Sequence, residues 1–158
     1  MSTTLQLNPE NYRQITSIND INLDFTIKLL RAFVYKYHYD ILDYFDEIMD
    51  LRAWYNYVKN IPYIDYGLHE IIKRQKYTIL ENCGDCDNKA LLIGSYIYIF
   101  YPRLEQYFKV IIPEGSENYE HIYNVINYNN KEIILDATYD YLEIGHEFKY
   151  KKCLFYKI

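Results

Sequence analysis

A chain of 158 residues, 50% of them hydrophobic, has material for one core and falls within the usual length of one domain. Lys and Arg total 17 against 22 Asp and Glu, and the net charge of −5 excludes the basic footprint of a general nucleic-acid binder. Residues 1–19 lack a basic segment followed by an apolar run, and no stretch approaches the ~20 apolar residues of a membrane span. The expectation is a soluble, unexported chain, cytoplasmic or, if phage-encoded, part of a virion. The cysteine count of 3 is odd and argues against a disulfide framework.

In chain order, Asn8-Pro9-Glu10 sets a capping residue before a proline and predicts a helix start. Phe25, Leu29, Ala32 and Phe33 recur at helical spacing and predict a helix over 23–37, with Asp24 at its positive end. From Asp40, the positions Ile41, Phe45, Ile48, Leu51, Tyr55 and Val58 step by three or four and predict a second helix, closed by Asn60-Ile61-Pro62. A short helix is expected over 68–75. Asn82-Cys83-Gly84-Asp85 then breaks the pattern, and Cys86 opens a long helix that ends before Pro102. Beyond it the period changes to two. Strands are predicted over 107–112, 121–128, 132–139 and 148–158, separated by Pro113-Glu114-Gly115-Ser116, Asn129-Asn130 and Gly145. The fold class expected is α+β: a helical N-terminal half and an antiparallel sheet of about four strands packed on the Cys86 helix. One domain spans 1–158, with a helical extension over 1–50, a core over 51–142 and a terminal strand over 143–158.

Residues 83–98, "CGDCDNKALLIGSYIY", put two cysteines three apart at a helix start. A redox pair of this kind follows a strand in a βαβ unit, whereas the segment before Cys83 reads as helix and loop. Zinc needs a second close pair of ligands, and Cys153 and His146 stand on separate predicted elements. Small buried cysteines are the ordinary outcome, and the expected one for Cys83 and Cys153. Cys86 differs by position: first-turn amides and the helix dipole favour a thiolate and can hold an oxyanion. Asp85 and Asp87 oppose the thiolate by like charge, and capping is their expected role.

A nucleophile at an amide carbonyl needs a base and a group to orient it. His121 and Asp136 are the candidates. A two-residue turn at Asn129-Asn130 sets Tyr128 opposite Lys131, Tyr123 opposite Asp136 and His121 opposite Thr138. His121 and Asp136 then lie diagonally on one face, within imidazole–carboxylate reach. A slip of one residue would part them. His38, His69 and His146 are assigned surface or local hydrogen-bonding roles.

These residues resemble a known family. "GDCDNKALLIGSYIY" is similar to the nucleophile motif of the transglutaminase-like superfamily, "EHIYNVI" to its histidine strand and "IILDATY" to its aspartate strand. "WYNYVKNIPYIDY" and "KYTILENCGDCD" resemble the helix and approach loop of bacterial and phage members, so the likeness covers about residues 50–142. It implies a papain-like α+β fold and a Cys86-His121-Asp136 triad for acyl transfer at amide bonds, of peptidase, amidase or transglutaminase type. No metal or organic cofactor is implied, and the partner is a protein or peptide substrate. Tyr123 stands where the family often has tryptophan. No side chain is fixed as oxyanion donor, with Trp54 and Gln75 in the region where one could arise. The competing reading is a non-catalytic or assembly module, such as a virion protein, docking through its N-terminal helices. Against it, Phe25, Leu29, Phe33, Ile41 and Phe45 could simply pack on the core.

Overall fold

The computed structural model describes residues 13–17, 22–44, 50–67 and 69–158. The helix start expected at Asn8-Pro9-Glu10 and the positions Phe45 and Ile48 lie outside these residues. Strand β1 (Arg13–Ser17) precedes helix α1 (Leu23–Tyr37), which has the predicted bounds. The Asn22 side chain caps α1 by accepting the Asp24 amide at 3.0 Å. Its buried stripe of Ile27, Leu30, Val34 and Tyr37 follows the helical period.

The second predicted helix divides. A 3-10 segment, His38–Tyr44, continues directly from α1, and helix α2 (Leu51–Asn60) starts afresh where the Asp50 carboxylate accepts the Ala53 amide at 2.8 Å. Strong capping chemistry inside a periodic run thus sets a boundary that the period conceals. The helix expected over 68–75 is instead strand β2 (His69–Lys73), antiparallel to β1 with Ile15 opposite Ile71. The chain next forms helix α3 (Gln75–Glu81). Pairing with a distant segment overrides local propensity here. Asn88 holds β2 from the side, its Oδ1 accepting the Lys73 amide at 2.8 Å and its Nδ2 donating to the Ile71 carbonyl at 2.9 Å.

Helix α4 (Cys86–Phe100) is buried along nearly its whole length, with residues 87–97 all enclosed. It lies between α1, α2 and α3 and the sheet. The antiparallel sheet runs in the order β5-β4-β3-β6: β3 (Glu105–Pro113), β4 (His121–Tyr128), β5 (Lys131–Leu135) and β6 (Tyr150–Lys157). The molecule is α+β, as the sequence indicates. Ile126 and Leu135 meet Trp54, Tyr55, Leu92 and Ile93 in one cluster, while Phe108, Val110 and Ile122 meet Leu30, Val34 and Leu91 in another. On the opposite face Ile111, Tyr123, Val125 and Ile134 pack under Phe148 and Tyr150. Phe33 and Ile41 are buried, so much of the apolar face of the first helices serves the core, while Phe25 remains 38% exposed. No helix among the described residues is long and apolar enough to cross a membrane.

Candidate active site

The β4–β5 hairpin turns through Asn129 and Asn130, at φ +52° and +59°, the left-handed pair of a two-residue turn. Tyr128 pairs with Lys131 and the ladder runs back to Asn124 opposite Leu135, which is the predicted register. The strand predicted over 132–139 ends earlier, at Leu135. Its next residues are claimed by other bonds: the Tyr55 hydroxyl donates to the Asp136 carbonyl at 2.6 Å and the Thr138 amide donates to Asp136 Oδ1 at 3.1 Å. Asp136 therefore sits just past the end of β5, level with His121 at the start of β4.

The two side chains meet. His121 Nε2 and Asp136 Oδ2 are 2.7 Å apart, with the Asp136 side chain 1% exposed and that of His121 11% exposed. A buried carboxylate accepts from Nε2–H and leaves Nδ1 as the basic nitrogen. The rings of Tyr123 and Phe148, each 5.5 Å from the imidazole between centroids, hold it from the sides. The Tyr123 hydroxyl is itself fixed, donating to Glu147 Oε1 at 2.6 Å.

Cys86 is set by a tight turn. The Gly84 amide donates to the Pro62 carbonyl and the Ile64 amide to the Gly84 carbonyl, both at 3.2 Å, which lays the approach loop beside the turn. A Cβ at Gly84 would come within 3.0 Å of Asn88 Cβ and 3.1 Å of Thr78 Cγ2, so any larger residue would have to push these neighbours aside. Asp85 then caps α4, accepting the Asn88 amide at 3.1 Å and its side-chain nitrogen at 2.7 Å. Cys86 and His121 line one cavity of about 580 Å³, together with Tyr63, Asp65, Asp87 and Ile122.

The electrostatics correct one expectation. Burial, then Asp87 and Asp85, push the Cys86 thiol well above its ordinary range; Asp136 adds to the rise, and a hydrogen bond from the Ile122 backbone opposes it. The helix start does not prevail, and the unliganded site holds a neutral thiol. Asp85 has the capping role expected of it and a second, electrostatic one.

Neither candidate oxyanion side chain reaches this place. Trp54 Nε1 donates to the Leu92 carbonyl at 3.1 Å within the core. Gln75 is fully buried and donates to the Phe33 carbonyl at 3.0 Å and Ser95 Oγ at 2.8 Å. Among the described residues, no other sulfur or imidazole lines this cavity. Cys83 Sγ is 3.6 Å from Lys73 Nζ, and Cys153 stands on β6 opposite Ile111. All three cysteines are free. Among the described residues, no group of three or more His, Cys, Asp and Glu could hold a metal ion. His38 Nδ1 bonds to the Val34 carbonyl at the end of α1, and His146 is exposed. The side chain of His69 lies outside the described residues.

Three groups near the site carry no local sequence signal. Lys89 is 1% exposed and donates to the Thr138 carbonyl at 2.7 Å and the Lys59 carbonyl at 3.2 Å, tying the segment after Asp136 to α2. Its burial lowers its pKa from 10.5 to about 8. Tyr63 and Tyr139, with ring centroids 5.1 Å apart, stand close enough to Cys86 that its ionisation would disfavour theirs. Phe148 is the third, brought to His121 by the loop before β6.

No protein-family model matches the chain, and no curated protein matches it. A crystal structure at 1.9 Å of a candidate cysteine protease from Cytophaga hutchinsonii aligns with 92% of this chain at 15% sequence identity and a TM-score of 0.48. The alignment spans 62% of that protein's chain, so the present chain covers less than two thirds of its neighbour's length.

Proposed function

We propose that the chain is a thiol-dependent hydrolase or acyltransferase acting at amide carbonyls of a protein or peptide, with Cys86 as nucleophile, His121 as base and Asp136 as its orienting partner. The observation that carries this reading is the His121–Asp136 pair, which leaves Nδ1 uncommitted on a side chain lining the same cavity as Cys86. As the sulfur bonds to the carbonyl carbon, His121 Nδ1 takes the thiol proton. The amide of Cys86, at the first position of α4, is the assigned oxyanion donor. His121 returns the proton to the departing amine, leaving a thioester on Cys86. Water, or an amine in the transferase case, then attacks the thioester while His121 accepts its proton, and the thiol re-forms. Each step uses side chains and backbone of this chain, so the reading calls for no cofactor. A neutral resting thiol fits it, because the base is needed at the moment of attack.

The test is labelling by an uncharged peptidyl electrophile at pH 7, mapped to each cysteine by mass spectrometry. The expected result is that His121→Ala slows modification of Cys86 by about 10²-fold or more while Cys83 and Cys153 react as before. Equal rates at Cys86 with and without the imidazole would overturn the proposal.

A further inference from the structure

Lys109 stands in the apolar run "FKVII" of β3 and is 2% exposed. The β3–β4 register sets it opposite Tyr123 and sets Ile111 opposite His121, so the period of two places Lys109 on the sheet face that carries the imidazole. An ammonium there needs partners, because burying an unpaired charge is costly. Lys109 Nζ donates to Glu147 Oε1 at 2.5 Å and to the Tyr150 hydroxyl at 3.1 Å, and lies 4.6 Å from the centroid of the Tyr150 ring. Burial disfavours its charge, yet these bonds more than reverse the effect and hold its pKa above the ordinary value.

The same carboxylate oxygen accepts from the Tyr123 hydroxyl at 2.6 Å. Glu147 therefore governs both rings that flank His121, Tyr123 through its hydroxyl and Phe148 as the next residue in the chain. It belongs to the long connection between β5 and β6, residues 136–149, which is neither helix nor strand. On one side of it the Gly145 amide donates to the Ile134 carbonyl at 2.9 Å, and on the other the Lys149 carbonyl accepts the Glu114 amide at 3.2 Å. Between these two anchors, the bond to a buried cation draws Glu147 and Phe148 onto the sheet.

We propose that Glu147 is a positioning residue of the acyl-transfer site: its bonds to Lys109 and Tyr123 hold Phe148 and Tyr123 as the two walls of a slot that keeps the His121 ring turned for proton transfer with Cys86. The inference rests on the acyl-transfer reading and adds a residue to it. A buried ion pair gives little net stability over apolar side chains of similar volume, so the contribution assigned to this one is geometric. Asp136 fixes one nitrogen of the imidazole, and the slot fixes the plane of the ring. Freed from its walls, the ring would swing about its bond to Asp136, and small misplacements of a catalytic group carry large losses of rate.

The test is a double-mutant cycle read as the rate at which iodoacetamide alkylates Cys86 at pH 7, followed by peptide mass mapping. A residue that acts through His121 loses its effect when His121 is absent, whereas one that merely supports the fold keeps it. Glu147→Ala is expected to slow alkylation about tenfold in the wild type and less than twofold in the His121→Ala background. One oxygen of Glu147 accepts both bonds, so the carbonyl of Glu147→Gln can replace it, and that variant is expected to react within about threefold of the wild type. Equal slowing in the two backgrounds, no slowing in either, or a loss in Glu147→Gln as large as that in Glu147→Ala overturns the inference. If Glu147→Ala leaves Lys109 unpaired and does not fold, Tyr123→Phe decides in its place, since it cuts one tie and keeps the ion pair. It is expected to slow alkylation about threefold with His121 present and to leave the rate unaltered without it; an unaltered rate with His121 present overturns the inference. His121→Ala alone separates the two ideas: an unchanged rate there removes the acyl-transfer reading itself, while a slowed rate there with no effect of Glu147 removes this inference only.

Discussion

Asp136→Asn isolates the orienting function from the packing, because an asparagine side chain has one accepting and one donating edge where the carboxylate accepts on both. The Thr138 amide, 3.1 Å from Oδ1, requires an acceptor and fixes the amide's orientation. The side-chain NH2 then faces His121 Nε2 across the 2.7 Å contact. Nε2 must accept, so the ring proton moves to Nδ1 and the imidazole can no longer take the thiol proton. Flipping the amide restores the tautomer but sets two donors against each other at Thr138 and leaves a buried N–H unpaired, at a cost of about 1–3 kcal/mol. The competent form therefore drops by roughly 5- to 150-fold, and loss of the negative charge beside the forming imidazolium carries the total toward about 10⁴-fold. The assay is the rate of Cys86 alkylation by iodoacetamide at pH 7, paired with ¹⁵N shifts of His121 that report which nitrogen is protonated. An unchanged rate with Nε2–H retained would refute the reasoning.

Gly84→Ala places a methyl within 3.1 Å of Thr78 Cγ2 and closer to Asn88 Cβ, and is expected to lower unfolding stability in urea by about 1–3 kcal/mol. Tyr55→Phe removes the 2.6 Å donor to the Asp136 carbonyl and is expected to cost about 1–2 kcal/mol by the same measurement, with slower Cys86 labelling. For Lys89, whose pKa falls from 10.5 to about 8 on folding, the unfolded chain holds the proton more tightly. Stability gained from this group is thus absent below pH 8 and accrues as pH rises toward 10.5. Relative to Lys89→Met, the wild type is expected to gain up to roughly 3 kcal/mol across that window, and a flat difference between the two urea titrations would contradict the buried-cation account.

Where a structural feature follows from local chemistry, the sequence carries it. Capping by Asn22 and Asp85, the left-handed Asn129-Asn130 turn and the resulting His121–Asp136 alignment are all short-range consequences of residue type and period. The misread region, 68–75, is one where a partner far away in the chain decides: β2 is a strand because β1 and Asn88 supply its hydrogen bonds. The burial of Gln75 is distant in origin too, since its partners Phe33 and Ser95 come from α1 and α4. The charge state of Cys86 was half legible. Helix position is local, but the weight of burial against the dipole depends on what the fold stacks over the sulfur. Lys89 looks like an ordinary polar helix residue until residues 87–97 prove to be enclosed on all sides.

The most direct test of the account is whether Cys86 carries an acyl group during turnover. Protein mixed with p-nitrophenyl acetate, quenched in acid over a time course and digested, is expected to show a transient acetyl on the peptide containing Cys86. It should form and decay more slowly in His121→Ala and be missing in Cys86→Ala. Acetyl groups confined to lysines, or appearing on Cys83 and Cys153 with the kinetics seen at Cys86, would contradict the claim that Cys86 and His121 work as nucleophile and base.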